Sequence, residues 1–197
     1  VNQVVLNLRG LGPAMVLGDQ SLMAGFETGY KINYANVWDL KTGKTLFNKA
    51  LETDGNYDEQ YIAVSTDRDK VMIVKNRKLN LFHLNGEQIS TAEIGYVDKF
   101  GANAANNKLS LLATGRQSGE LTVYKANGDV VYQFQAHNST IRKIVFSPDD
   151  KLMYTISLDN TIKVWQAADG KLIGTLYLFK DSNDFIFMDD EGRFDGT

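Results

Sequence analysis

The side-chain types that could do chemistry in this sequence stand close together in its last third. His137, Ser157 and Asp159 supply an imidazole, a hydroxyl and a carboxylate, the three groups of a nucleophilic triad. Trp165 follows them with an indole N–H, which needs an acceptor wherever it is buried. The same four groups can also satisfy one another's hydrogen bonds inside a scaffold. The elements that position them must decide between catalysis and structure.

Composition excludes several other kinds of site. The 197 residues include no cysteine, so the chain has no disulfide, no Cys-ligated zinc and no cysteine nucleophile. With only two histidines, His83 and His137, a His-rich metal site is not expected either. No phosphate-binding glycine motif of the P-loop or dinucleotide type is present. We therefore expect no metal and no cofactor.

Charge and hydropathy also limit the partners. The 21 basic and 24 acidic residues are interspersed, and a net charge of -3 gives no large single-sign field that would attract nucleic acid or an anionic membrane. No apolar run reaches the 18 or more residues that a membrane helix needs. We expect no nucleic acid partner, no membrane partner and a cytoplasmic location.

The element that carries the four chemical residues belongs to a repeat of about 42 residues. The repeat is marked by one aromatic, at Trp38, Phe82, Tyr124 and Trp165, and by one glycine, at Gly43, Gly86, Gly128 and Gly170. Each aromatic ends a short apolar alternation, and each glycine lies in a turn before a second apolar run. A period of this size is typical of solenoids, propellers and arrays.

Within each repeat we predict a four-stranded antiparallel meander. In the last unit the strand candidates are STIRKIVF, KLMYTIS, TIKVWQA and KLIGTLYL, separated by turn residues. Small sheets that cannot cover their own faces must stack, and radial stacking gives a β-propeller. A linear β-solenoid is the alternative, but its strands are usually parallel and its period shorter. The predicted fold class is all-β, with four four-stranded antiparallel propeller units.

The repeat also sets the predicted domain boundaries. The propeller segment covers 1–178, with a strand at 3–8 that belongs to a neighbouring blade and a C-terminal hairpin, or the start of a following region, at 184–197. The four blades are predicted at about 14–51, 57–93, 96–136 and 138–178.

The fourth unit, from AHNSTIRKIVFSPDDK to DNTIKVWQAADGKLIGTL, closely resembles a WD40 repeat. In that family a hydrogen-bonded tetrad joins the strands of a blade, and the resemblance implies that His137, Ser157, Asp159 and Trp165 form it here. We therefore favour a structural role for these residues over a nucleophilic triad, and expect no catalytic residue in the chain. The other three units match by period and pattern alone.

A second resemblance lies at the C-terminal end. FIFMDDEGRFDGT is similar to a segment of bacterial proteins that joins WD40 repeats to a caspase-like peptidase domain. The resemblance implies a peptidase domain beyond this segment, and no counterpart of its catalytic Cys and His lies in this chain. Four units are also fewer than the six to eight that a WD40-type ring needs. We expect either further blades before Val1 or a homodimer of four plus four blades.

Partner binding is expected at the loops that join the second strand of a blade to the third, and one blade to the next. Tyrosine and arginine are enriched in interface hot spots. The predicted partner-binding rim consists of Tyr30, Tyr34, Tyr57, Lys75, Arg77 and Arg116.

Three functions follow from these features. The first is a non-catalytic scaffold that binds a protein or peptide partner. The second is the sensor or substrate-recruiting part of a bacterial caspase-like peptidase. The third is a propeller hydrolase with a site in the central channel, which the sequence disfavours because no acidic or histidine cluster recurs on the inner strands.

Overall fold

The computed structural model describes residues 11–17, 19–28, 32–52, 60–98, 100–179 and 184–196. In these ranges the chain forms strands and turns, without a helix. It divides into two compact units, Val1–Glu93 and Ile94–Thr197. The predicted strand at 3–8, Tyr30 and Tyr57 lie outside the described residues.

The first unit contains two antiparallel sheets, each with its strands in sequence order. The first sheet consists of β1 (Leu11–Val16), β2 (Leu22–Thr28), β3 (Ile32–Asp39) and β4 (Thr45–Glu52). The second consists of β5 (Gln60–Val64), β6 (Lys70–Lys75), β7 (Lys78–His83) and β8 (Gln88–Glu93). Phe26, Val37, Ile62 and Val71, from both sheets, belong to one buried core. Alternating apolar residues therefore bury one face of each sheet against the other.

The second unit contains the other two sheets. The third sheet consists of β9 (Ala102–Ala105), β10 (Leu111–Gly115), β11 (Glu120–Lys125) and β12 (Val130–Gln135). The fourth begins with β13 (Ile141–Phe146), β14 (Leu152–Ser157), β15 (Thr161–Gln166) and β16 (Leu172–Leu178). Ala113, Val123, Ile141, Met153 and Trp165 are buried in their shared core. The prediction of an all-β chain with four antiparallel units is confirmed.

The recurring glycine has a common backbone conformation. Gly43, Gly86, Gly128 and Gly170 all have positive φ, between 72° and 94°. Each lies in the turn between the third and fourth strands of its sheet, where a residue with a Cβ is strained. The repeat in the sequence therefore reflects one backbone requirement met four times.

The C-terminal hairpin extends the fourth sheet. β17 (Phe185–Asp189) pairs antiparallel with β16, and β18 (Phe194–Gly196) pairs with β17, which gives a sheet of six strands. The Phe187 ring lies over Gly174, where a Cβ would meet ring atoms at 2.4 Å. The sequence predicts either a C-terminal hairpin or the start of a following region here. The described residues of this segment form a hairpin that pairs with the fourth sheet.

The two faces of the fourth sheet differ in burial. On the face that packs against the third sheet, Met153 is fully buried and Trp165 is 5% exposed. On the opposite face, the cross-strand pairs Tyr154 with Val164 and Ile156 with Ile162 are apolar but only half-buried. In the third sheet, by contrast, β10 and β11 are buried on both faces over most of their length. The fourth sheet thus has one apolar face that the described residues leave partly exposed.

Candidate functional site

Five side chains of the fourth sheet and its flanking loop form one hydrogen-bonded chain, the His137 network (His137, Thr155, Asp159, Thr161 and Trp165). Trp165 Nε1 donates to Thr155 Oγ1 at 2.8 Å, and Thr155 Oγ1 lies 2.7 Å from His137 Nε2. His137 Nδ1 lies 3.0 Å from Asp159 Oδ2, and the Thr161 hydroxyl donates to Asp159 Oδ1 at 2.6 Å. Each polar side chain of the His137 network thus has a hydrogen-bond partner, as buried polar groups require.

Local structure positions each member of the network. His137 follows β12, and its N–H, like that of Ala136, donates to the Gly119 carbonyl. Asp159 lies in the turn between β14 and β15, where Asn160 has a φ of 63°. The Asp159 carboxylate also accepts the N–H groups of Asn138 and Thr161, which fixes its orientation.

The prediction that Ser157 supplies the tetrad hydroxyl is wrong, because Thr155 occupies that place. Trp165 stands opposite Met153 in the β14–β15 register, so Thr155, two residues further on, is its diagonal neighbour on the same face. Ser157 lies two residues beyond Thr155, roughly 7 Å further along the strand. Its hydroxyl donates to the Ser139 carbonyl at 3.2 Å and accepts the Asp159 N–H at 3.1 Å.

The arrangement also separates the groups of the nucleophilic triad. Ser157 donates to a main-chain carbonyl rather than to His137. The hydroxyl that does contact His137 belongs to Thr155, which is fully buried, and His137 itself is 1% exposed. A nucleophile must reach both its base and a substrate. The geometry therefore favours a structural role for the His137 network, which joins the strands of the fourth sheet.

Electrostatics fix the protonation states in the network. Partial burial opposes the charged form of Asp159, but the Thr161 hydroxyl, the Asn138 N–H and the His137 imidazole outweigh it and lower the pKa of this carboxyl from 3.8 to about 2. Burial lowers the pKa of His137 below its ordinary 6.5, against the opposing effect of Asp159. His137 is therefore neutral at pH 7, with its proton on Nδ1 facing the carboxylate and Nε2 accepting from Thr155.

The other three sheets do not reproduce the network at the positions that correspond to Thr155. By the strand registers, those positions are Gly25, Ile73 and Thr114. Thr114 makes only a long contact of 3.4 Å to the Thr122 carbonyl, and Ile73 is fully buried among apolar residues. Among the described residues, the complete network therefore occurs only in the fourth sheet.

The four described residues of the predicted partner-binding rim have different surroundings. Arg77 is exposed in the two-residue turn between β6 and β7, in which it and Asn76 both have positive φ, as in a type I′ turn. The prediction of an accessible Lys75 is wrong: it is 7% exposed, because it still belongs to β6 and pairs with Lys78 across the turn. Tyr34 is half-buried within β3, opposite Glu27 and Ala50, and not in a loop.

Arg116, in the second unit, is engaged within the chain. Its Nη1 lies 2.6 Å from Glu120 Oε1, and its Nη2 donates to the Tyr96 carbonyl at 3.2 Å. The guanidinium also lies over the Tyr96 ring, 5.7 Å from the centroid. A partner would have to compete with these contacts, which sequence spacing alone does not reveal.

In the part of the chain that the structure describes, no group of three or more His, Cys, Asp or Glu residues is placed to hold a metal ion. In the same ranges, no helix has the length and apolarity needed to cross a bilayer.

Comparison with known proteins places the second unit most clearly. A family model described as the Anaphase-promoting complex subunit 4 WD40 domain matches residues 104–188, less than half of the chain. The match covers most of the third sheet and most of the fourth, including the His137 network.

Individual relatives extend the similarity. Eukaryotic translation initiation factor 3 subunit I of Homo sapiens is 28% identical over 160 residues, covering 71% of this chain and 46% of that protein. The protein ROOT INITIATION DEFECTIVE 3 of Arabidopsis thaliana is 28% identical over 135 residues, covering 65% and 30%. Nuclear distribution protein nudF of Aspergillus terreus is 29% identical over 76 residues, covering 38% and 17%.

The chain thus spans from about a sixth to just under half of the length of these curated relatives. Three observations point to the same kind of fold. They are the similarity to a WD40 domain, the four antiparallel sheets, and the hydrogen-bonded Trp, Thr, His and Asp of the fourth sheet. Residues 104–188 are therefore similar to a WD40 domain, and the four sheets have the antiparallel meander form of WD40-type β-propeller blades.

Proposed function

We propose that this chain is a non-catalytic scaffold that binds a protein or peptide partner through the loops of its blades. The observation that carries the proposal is the burial of its one triad-like set of groups. The Thr155 hydroxyl and the His137 imidazole are committed to holding the fourth blade together and are closed to a substrate. The described loops instead present exposed side chains that a partner can contact.

One matched protein is described as a subunit of an initiation factor, and the matched family model is described as a domain of an anaphase-promoting complex subunit. A subunit functions in contact with other chains, which supports a protein partner here. On the first unit, the β6–β7 hairpin presents the exposed basic side chains of Arg77, in the turn, and Lys78, the first residue of β7. A small cavity of about 250 Å³ lies beside them and is lined by Lys75, Asn76, Lys78 and Asn80 among others. We keep Arg77 at the centre of the partner-binding rim.

The test compares partner capture by matched variants. Immobilised wild-type chain and the Arg77→Glu/Lys78→Glu variant are exposed to the same cell extract, and bound proteins are quantified by mass spectrometry. We expect a specific set of proteins to be lost from the variant. The control is Lys41→Glu/Lys44→Glu, the same charge change at exposed residues in another turn of the first unit. Equal capture by all three proteins would remove Arg77 and Lys78 from the function.

The partly exposed face of the fourth sheet supports a further part of the proposal. The other face of the fourth sheet packs its apolar residues against apolar residues of the third sheet. We propose that a further blade covers the open apolar face in the same way. That blade comes either from a second copy of the chain or from further sequence. The blade boundaries at about 14–51, 57–93, 96–136 and 138–178 are part of the same proposal.

The remaining expectations stay predictions. A caspase-like parent rests on the resemblance of the final dozen residues alone, and the relatives named above come from a mammal, a plant and a fungus and carry no peptidase name. The cytoplasmic location and the hydrolase alternative gain no further support from the described residues.

A further inference from the structure

A cavity of about 540 Å³ opens in the second unit between the third and fourth sheets. Three turns form it: the turn from β9 to β10, the turn from β13 to β14, and the turn from β15 to β16. Successive turns of a meander lie at alternate ends of the sheet. This inter-sheet groove is therefore at the opposite end of the strands from Asp159 and from Arg116, the residue of the predicted partner-binding rim that lies in the second unit.

We propose that the inter-sheet groove binds a short peptide segment of a partner, one that carries a bulky apolar side chain next to carboxylates. The inference rests on the proposed scaffold function and adds a second contact surface with a defined chemistry. Its principal lining residues are Lys108, Leu111, Lys151, Leu152, Ala168 and Ile173.

The walls of the groove are preorganised by Asp150. Its Oδ1 accepts the Asn107 N–H at 2.8 Å and the Asn107 side-chain amide at 2.7 Å. Its Oδ2 accepts the Asn106 amide at 3.0 Å and the Lys108 N–H at 3.2 Å. These bonds fasten the turn of the fourth sheet to the turn of the third. A site whose walls are already fixed loses little entropy when a ligand enters.

Four side chains of the groove are apolar, and they lie beside the polar Asn106, Ser110 and Gln166. Leu111 and Leu152 are half-buried, Ala168 is exposed, and Ile173 is 37% exposed. The volume is within the range of known ligand pockets and is large enough for one or two bulky side chains. A leucine or phenylalanine of a partner would cover apolar surface that now faces water.

The charges at the edge of the groove favour an acidic partner. Lys108 and Lys151 lie on its two sides, and both are exposed. Within the described ranges Lys108 has no salt bridge, and the nearest carboxylate to Lys151 is a distant 3.7 Å contact with Asp149. The only carboxylate that lines the groove, Asp150, already accepts four hydrogen bonds. These bonds come from neutral groups and leave the Asp150 charge in place, so the lining residues carry two positive charges and one negative charge, a net charge of +1.

The test measures binding of a defined probe to the folded chain. The probe is a fluorescein-labelled Gly-Asp-Leu-Leu-Asp-Gly peptide, with fluorescence anisotropy as the readout. We expect a dissociation constant of about 10–100 µM for a contact of this size. Gly-Lys-Leu-Leu-Lys-Gly and Gly-Asp-Ser-Ser-Asp-Gly, which reverse the charge and remove the apolar side chains, should bind at least about tenfold more weakly.

Variants of the chain locate the binding. Lys108→Glu/Lys151→Glu and, separately, Ile173→Ser should each weaken binding of the first probe at least about fivefold. Lys41→Glu/Lys44→Glu, which carries the same charge change in the first unit, should bind it like the wild type. Absence of wild-type binding at 1 mM probe, or equal binding by all variants, overturns the groove proposal. Either result leaves the capture experiment on Arg77 and Lys78 unaffected, so the two proposals fail independently.

Discussion

Thr155 is the central residue of the His137 network, because its hydroxyl accepts from Trp165 and lies against His137 Nε2. The hydroxyl joins the third strand of the fourth sheet to the loop that precedes its first strand. The resemblance to WD40 repeats identifies the kinds of group involved, but assigns the hydroxyl to Ser157. The pairing of Ile156 with Ile162, next to the three-residue turn, fixes the strand register. That register places Thr155 beside Trp165, which strand pairing shows and residue spacing alone does not.

Thr155→Val should destabilise the chain much more than Ser157→Ala. The valine leaves the Trp165 N–H and His137 Nε2 without a partner in a buried site, at a cost of about 2–4 kcal/mol. Ser157 is also buried, but its hydroxyl lies outside the network, so Ser157→Ala should cost only about 1 kcal/mol. Urea denaturation measures both free energies of unfolding. Equal losses for the two variants would return Ser157 to the network.

The burial of His137 predicts a pH dependence of stability. Its pKa is lowered in the folded state, so between the folded value and the unfolded value of 6.5 the unfolded chain binds more protons. The stability due to the neutral imidazole is complete above pH 6.5 and is lost as the pH falls below it. Denaturation midpoints measured from pH 7.5 to 5 should decrease in the wild type and change less in His137→Gln. The same decrease in both proteins would show that another group is responsible.

At the level of elements, the strands follow from alternation and the turns from a few backbone requirements. Gly119, with a φ of 88°, lies in the turn between β10 and β11 and accepts the N–H groups of Ala136 and His137. A Cβ at this position would meet the His137 carbonyl oxygen at 2.0 Å. This glycine therefore allows the loop that carries His137 to approach the third sheet.

Gly119→Ala should be severely destabilising, by about 3 kcal/mol or more, because it combines left-handed strain with a clash against main-chain atoms. Gly86→Ala is the matched control, since Gly86 has a φ of 94° but open space around its Cβ position. That variant should lose about 1 kcal/mol from backbone strain alone. Thermal unfolding of both variants distinguishes the two causes, and a similar shift in midpoint would rule out the clash.

At the level of the whole molecule, one face of the fourth sheet is apolar but only partly covered by the described residues. Val145 is 40% exposed there, next to the half-buried Tyr154, Ile156 and Ile162. An apolar sheet face of this kind is typical of an interface or of an aggregation-prone surface. A covering blade from a second copy would bury it.

Light scattering on this chain should give a mass above that of a 22.0 kDa monomer if a second copy covers the face. Ile162→Glu, at the centre of the face, should shift the mass towards the monomer because it places a charge in the interface. Val130→Glu, at an exposed apolar residue of the third sheet, is the control and should leave the mass unchanged. A wild-type monomer would contradict coverage by a second copy and favour a covering blade from further sequence.

The sequence by itself determined the all-β class, the four units and the recurring glycine turns, because these depend on local requirements. Strand alternation is a property of a short run of residues, and positive φ is a property of a single residue. It also identified His137, Asp159 and Trp165. Only the tertiary structure decided that Thr155 completes the network, that Lys75 is buried and that Arg116 is held by Glu120 and Tyr96. These features depend on which side chains from distant strands and turns meet. Strand pairing and sheet packing determine that, and residue type and spacing indicate it only in part.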